Sequence, residues 1–200
     1  MRAVRKINSC TLVLPKSDID TDQIIPARFL TTTSREGLGA LLFNDWRFLP
    51  DGSDNLDFVL NKTESKGCKI LVAGHNFGIG SSREHAPWAL LDYGIRAVIS
   101  TEIADIFCSN SLKNGLIPIV IDKKTHAWLL SNPGTSVDID VTNATLTIAN
   151  GKTVQFPIEK IAQYCLTEGI DQLGFLQKHN NYLQTHELRL RICELKTCNI

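Results

Sequence analysis

Residues 69–121 read KILVAGHNFGIGSSREHAPWALLDYGIRAVISTEIADIFCSNSLKNGLIPIVI, and this stretch decides the fold. Residues 69–73, 96–100 and 116–121 are short runs apolar on both faces, as strands in the middle of a sheet must be. The first runs into a glycine loop and then a helix ending near Tyr93, where Gly94 suits the left-handed position that closes helices. Residues 102–114 predict a second helix, closed by Gly115. Strand–helix–strand–helix–strand with short connections argues for parallel pairing through right-handed crossovers.

Working outward, residues 11–14 read as a strand ended by Pro15, and residues 31–39, small, polar and glycine-containing, as a loop. A helix is expected over 123–130. Residues 137–141 and 144–148 then alternate at period two, and Asn150-Gly151 turns the chain into 153–156, a strong hairpin signal. Pro157 opens a helix through about Thr167, and Gly169 precedes a last amphipathic helix to about His186. The expected architecture is one α/β domain with a β-hairpin layer over 1–187, followed by a tail, 188–200, of no clear period.

Two hundred residues suffice for one such domain. Lys and Arg number 21, as do Asp and Glu, so no bulk positive field would draw the chain to nucleic acid or an anionic membrane. No apolar run approaches the roughly 20 residues that cross a bilayer, and the basic start leads into no secretory segment, so a cytoplasmic protein is expected. The six cysteines, Cys10, Cys68, Cys108, Cys165, Cys193 and Cys198, form no CxxC pair. In a reducing compartment they read as small buried hydrophobes, with no metal site on this chain.

Chemistry is concentrated in GHNFGIGSSREHA, from Gly74 to Ala86. Three glycines let the backbone turn tightly as it leaves a buried strand, and a helix begins near Ser81 and Ser82. Free amides at a helix start form an anion site, and Arg83 could grip a carboxylate at two points. Such a site suits a small polycarboxylate. The spacing of Ser81 and Glu84 is also that of a capping box, in which both side chains merely satisfy backbone amides, and this reading stays open. Pro87 favours a helix start later than Ser81, which would free the hydroxyl. A dinucleotide fingerprint fails, because Arg83 stands where its third glycine would be.

Asp18-x-Asp20-x-Asp22 lacks the glycine and the later glutamate of a calcium loop, so an Asx-capped turn is the plain reading. Within it Asp22, beside Ile24-Ile25-Pro26, is best placed to be functional, with Arg28 as its ion-pair partner or a substrate clamp. His75 and His85 read as hydrogen-bonded structural residues rather than bases.

DTDQIIPAR from Asp20, NFGIGSSREHAPWA from Asn76, ADIFCSNSLKNGLIP from Ala104 and GIDQLG from Gly169 together resemble one family. It is that of the isopropylmalate isomerase small subunits, the swivel-domain chains of the aconitase superfamily. The resemblance implies a single swivelling β/β/α three-layer domain of the aconitase C-terminal type. It implies a hydro-lyase of leucine biosynthesis, active only with a large subunit in a heterodimer or higher assembly. That partner would carry a [4Fe–4S] cluster, with no cofactor on this chain. By resemblance Ser81 is the catalytic serine, Ser82 and Arg83 bind the substrate carboxylate, and Asp22 and Arg28 complete the set. Phe29, Leu30, Arg35 and Leu38 fall in the stretch that faces the substrate's variable group. An arginine projecting there, Arg35 being the one at hand, would instead favour a second carboxylate, as in a homoaconitate or methylmalate isomerase. A silent anion-binding module of the same fold is the remaining alternative. The 175–180 stretch is less acidic than the family leads one to expect, and the tail beyond Glu187 has no counterpart in it.

Overall fold

The computed structural model describes residues 2–178. Along the chain it contains β1 (Lys6–Leu14), β2 (Ile19–Asp20), α1 (Thr21–Ile24), α2 (Asn44–Arg47), β3 (Ile70–Ala73), β4 (Phe77–Ile79), α3 (His85–Tyr93) and β5 (Ala97–Ser100). There follow α4 (Asp105–Asn114), β6 (Ile117–Val120), α5 (Lys123–Ser131), β7 (Ser136–Asp140), β8 (Thr145–Ile148), β9 (Thr153–Gln155), α6 (Lys160–Glu168) and α7 (Gln172–Lys178). Seven strands form a mixed sheet in the order β6-β5-β3-β1-β7-β8-β9, and β2 and β4 form a separate parallel pair.

Strand β1 joins two different half-sheets. Its first half, from Lys6 to Cys10, pairs antiparallel with β7, and its second half, from Thr11 to Leu14, pairs parallel with β3. The parallel half continues through β5 and β6, and the antiparallel half through the hairpin strands β8 and β9. Alternation then divides the core. Leu71, Ala73 and Val98 face one apolar cluster with Phe77, Leu90 and Phe107, while Ile70, Val72, Ala97 and Ile99 face a second with Leu129, Val137 and Leu166. Both faces of the parallel half are therefore covered, and each buried aliphatic side chain contributes roughly 1.5–3 kcal/mol.

Several boundaries differ from the sequence reading for identifiable reasons. β1 starts five residues earlier than Thr11, because polar Asn8 and Ser9 pair with β7 at the sheet surface. α3 starts at His85, so Pro87 sits third in the helix, where a missing N–H costs nothing. α4 starts at Asp105, since residues 102–104 are spent bridging β4: Phe77 donates to the Glu102 carbonyl and Ala104 donates to that of Phe77. Glu159 caps α6 by accepting from Ile161 and Ala162, which delays that helix beyond Pro157. The last helix is described only to Lys178, so its expected end near His186 and the 187/188 boundary lie outside the described residues.

The cysteine reading needs correction. Cys10 and Cys68 are joined in a disulfide, with their α-carbons 4.9 Å apart, within the range such a bond spans. The cause is the β1–β3 register: Thr11 opposite Ile70 puts Cys10 beside the residues that lead into β3. Cys108 and Cys165 are free thiols, and Cys193 and Cys198 lie outside the described residues. Among the described residues no helix is long and apolar enough to cross a membrane.

Candidate active site

The glycine loop is built by close approach. Gly74 lies against the Lys16 backbone, where an added Cβ would stand 2.3 Å from its carbonyl oxygen. Gly78, at φ +77°, lies against Phe107, 2.5 Å from ring to hypothetical Cβ. These contacts tuck the loop between the end of β1 and α4. Asn76, itself at φ 63°, donates from its side chain to Asp18 at 2.6 Å, tying the entry of β4 to the entry of β2. The parallel β2–β4 pair then delivers two turns side by side, one carrying Asp20, Thr21 and Asp22, the other Ser81, Ser82 and Arg83.

The Asp20 side chain caps α1, accepting from the Asp22 N–H at 2.6 Å, while Gln23 accepts from the Asp20 N–H in return. The three-acid segment is thus an Asx-capped turn, as its spacing suggests. Capping turns Asp22 toward Arg83, and the two form a two-point pair: Arg83 Nη1 donates to Asp22 Oδ1 and Nη2 to Asp22 Oδ2, the latter at 2.8 Å. The Ala27 N–H adds a bond to Asp22 Oδ1 at 3.0 Å. The hydrogen bonds from Arg83 hold the Asp22 carboxyl below the usual carboxylate range, outweighing partial desolvation. Arg83 is correspondingly held as a cation, above its ordinary value, chiefly by the Asp22 hydrogen bond. Its side chain is 13% exposed against 53% for Asp22, so the arginine is the rooted member.

Ser81 and Ser82 are exposed just before α3. The residue flanking that helix is Glu84, and no side chain caps it, so the capping-box reading of Ser81 and Glu84 fails here. Both hydroxyls stand at an open surface.

Other anticipated residues lie elsewhere. Arg28 does not pair with Asp22. Its guanidinium is held by Asp45, and by the Asn44 side chain at 2.9 Å, both on α2, because the 3-10 turn Ala27–Phe29 aims it there. Leu38 is 1% exposed in the core, since the turn Leu38–Leu41 packs on α3, and it offers nothing to a substrate. Arg35 lies over the Trp88 ring at 4.9 Å and lines a groove with Arg2, Glu36, Leu91 and Arg96. Phe29 and Leu30 are half-buried against the core, Phe29 beneath the Arg28 guanidinium. His85 bonds the Thr32 carbonyl at 2.9 Å and His75 the Thr101 hydroxyl at 3.0 Å, both structural ties.

Two residues at the site escaped the sequence reading as functional candidates. The Thr21 hydroxyl donates to the Ser81 carbonyl at 2.9 Å, and the Asp20 carboxylate covers Gly80, where an added Cβ would stand 2.2 Å from Oδ2. No motif encodes a side chain bonded to a carbonyl 60 residues away; the one signal was Gly80 itself, a glycine in an otherwise polar turn.

Among the described residues the cysteines do not fit an iron–sulfur cluster: Cys10 and Cys68 are bonded to each other, Cys108, its thiol pushed up to about 11 by burial and then by Asp105, stands on α4, and Cys165 stands on α6. Among the described residues no group of three or more His, Cys, Asp or Glu is placed to hold a metal ion.

Comparison with known proteins bears on the family and the fold. Residues 1–124 match the family model of the aconitase C-terminal domain. The 3-isopropylmalate dehydratase small subunit of Anaeromyxobacter dehalogenans (strain 2CP-C) is 61% identical over 176 residues, covering 88% of this chain and 92% of the relative. That of Roseiflexus sp. (strain RS-1) is 50% identical over 191 residues, 94% of each chain. The crystal structure of a 3-isopropylmalate dehydratase from Methanocaldococcus jannaschii superposes with a TM-score of 0.64 at 29% identity, covering 90% of this chain and 99% of that one.

Proposed function

The chain belongs to the aconitase C-terminal domain family, among its 3-isopropylmalate dehydratase small subunits, and on that premise we propose that Ser81 is the base of the reaction. The enzyme is a hydro-lyase of leucine biosynthesis that interconverts 2-isopropylmalate and 3-isopropylmalate through 2-isopropylmaleate. In the dehydration half, the Ser81 alkoxide takes a proton from carbon. The electron pair left behind forms the double bond as hydroxide leaves the neighbouring carbon. Adding water back in the other orientation completes the isomerisation.

A serine hydroxyl is a poor base in water and needs a positive, preorganised surrounding. The amides that open α3 and the Arg83 cation supply part of it. Asp22 offsets some of that charge, so the large subunit supplies the remainder. Arg83 also binds substrate. Asp22 takes the Nη1–Nη2 edge of the guanidinium, which leaves the Nε–Nη2 edge for a substrate carboxylate. The pairing with Asp22 fixes the plane in which that edge is presented.

The single observation that carries this reading is the exposure of Ser81 and Ser82 next to a rooted, two-point-held Arg83. Such a site lies at the surface and is completed when the large subunit closes over it, in the cytoplasm. The [4Fe–4S] cluster belongs to that subunit, where it would act as a Lewis acid on the substrate hydroxyl. The placement of Arg35 on Trp88 supports an apolar variable group over a second carboxylate, with Phe29 and Leu30 nearest in sequence to receive it. Burying an isopropyl group would give roughly 2 kcal/mol of preference. The test is reconstitution with a cognate large subunit and a panel of 2-hydroxy dicarboxylates and tricarboxylates. Turnover of 2-isopropylmalate in preference to homocitrate or citramalate is the expected result; no turnover of any would leave only an anion-binding module of this fold.

A further inference from the structure

Three consecutive residues, Asp20, Thr21 and Asp22, each hold a different part of the Gly80–Arg83 turn. The Asp20 carboxylate lies over Gly80, the Thr21 hydroxyl donates to the Ser81 carbonyl, and Asp22 clamps the Arg83 guanidinium. Among the described residues the backbone of Ser81, Ser82 and Arg83 takes no hydrogen bond from another main-chain group. The turn has no ladder or helix of its own to fix it, and the opposite turn does so through side chains.

Thr21 is the member whose role is least evident from its type. It is 2% exposed, and a buried hydroxyl must find an acceptor. It spends its hydrogen on a carbonyl 60 residues away. Pinning that carbonyl fixes the plane of the Ser81–Ser82 peptide and so the backbone torsion that carries the Ser81 side chain. In a trans peptide the N–H points opposite to the C=O. With the Ser81 carbonyl drawn toward buried Thr21, the Ser82 N–H is turned the other way, away from Thr21.

We infer that Thr21 is a positioning residue of the isomerisation: its hydroxyl, acting through the Ser81 carbonyl, sets where the Ser81 side chain and the Ser82 amide stand. The inference rests on the reading of Ser81 as the base. Misplacing a reacting group by about 1 Å costs on the order of 100-fold in rate, and Thr21 is what prevents it here.

The test uses the full chain reconstituted with its large subunit and compares Thr21→Val, which keeps the shape and removes the donor, with Thr21→Ser, which keeps the donor. Thr21→Val lowers kcat about 10- to 100-fold, with KM within about threefold and with unfolding midpoint and subunit affinity close to the parent. Thr21→Ser recovers kcat to within about threefold of the parent. Full kcat in Thr21→Val overturns the inference, and so does a loss that Thr21→Ser shares, since packing by the methyl rather than the hydroxyl would then be at work. If Thr21→Val fails to fold, Thr21→Ala is read against Thr21→Ser with the same two outcomes. Ser81→Ala, assayed alongside, separates the two claims. An active Ser81→Ala removes the base itself, whereas an inactive Ser81→Ala beside a fully active Thr21→Val removes only the role of Thr21.

Discussion

Arg83 commits one edge of its guanidinium to Asp22 and keeps the other, and the account of binding turns on that division. A lysine in its place has one ammonium and cannot serve two carboxylates in fixed planes. Arg83→Lys should therefore raise KM for isopropylmalate about tenfold or more while changing kcat less; unchanged steady-state constants would remove Arg83 from the site. The pair also has a pH signature. Asp22 titrates lower folded than unfolded, chiefly through the Arg83 hydrogen bond, so its contribution to stability is present above the unfolded value of about 3.9 and is lost as pH falls through the folded one. Urea midpoints should be insensitive to this group from pH 5 to 8, and the drop below pH 4 should be shallower in Asp22→Asn; an equally steep acid limb in that variant would contradict it. At this scale much was legible. Asp22, Ser81, Ser82 and Arg83 stand out in the sequence by type and order, and the structure joins Asp22 to Arg83 beside two exposed serines. The Arg28–Asp45 pair has no signature in the sequence, because Asp45 arrives from α2, a four-residue helix whose position depends on tertiary packing. Thr21 carries no such mark, because a hydroxyl bonded to a distant carbonyl leaves no pattern in the chain.

The elements differ in how openly they declare themselves. β3, β5 and β6 are apolar on both faces and bounded by turns, so their existence and parallel pairing follow from the sequence. β2 and β4, two and three residues long, are hidden in polar and glycine-rich turns, yet their pairing aligns the two halves of the site. Gly80, at φ +87° and under Asp20, is the point where that alignment is tightest. Gly80→Ala should cost roughly 2 kcal/mol or more and lower kcat, because Asp20 must retreat. Gly94→Ala, at φ +116° with nothing within 4 Å, should show the backbone cost alone and keep kcat. Equal kcat in the two variants, read with their urea midpoints, would mean that Asp20 and Gly80 play no part in setting the loop. The Cys10–Cys68 bond likewise leaves no signal in the sequence, since its cysteines stand 58 positions apart and the register of two strands brings them together. In oxidising buffer Cys10→Ser should lose roughly 2–4 kcal/mol with turnover retained, and in reducing buffer the loss should nearly vanish. A loss that persists under reduction would assign the effect to packing instead.

On the scale of the whole molecule, the parallel half of the sheet is covered on both sides, and the candidate site stands outside it on two short turns. Its serines face outward, which is poor placement for an enzyme working alone and good placement for a chain that closes a partner's cavity. The chain by itself should therefore bind isopropylmalate weakly and turn none over. The most direct test is Ser81→Ala reconstituted with the large subunit, with kcat and the affinity between subunits measured on the same preparation. Loss of the base should lower kcat by about 100-fold or more while the subunits associate as tightly as before. A variant that assembles normally and keeps kcat within about threefold of the parent would contradict the account at its centre.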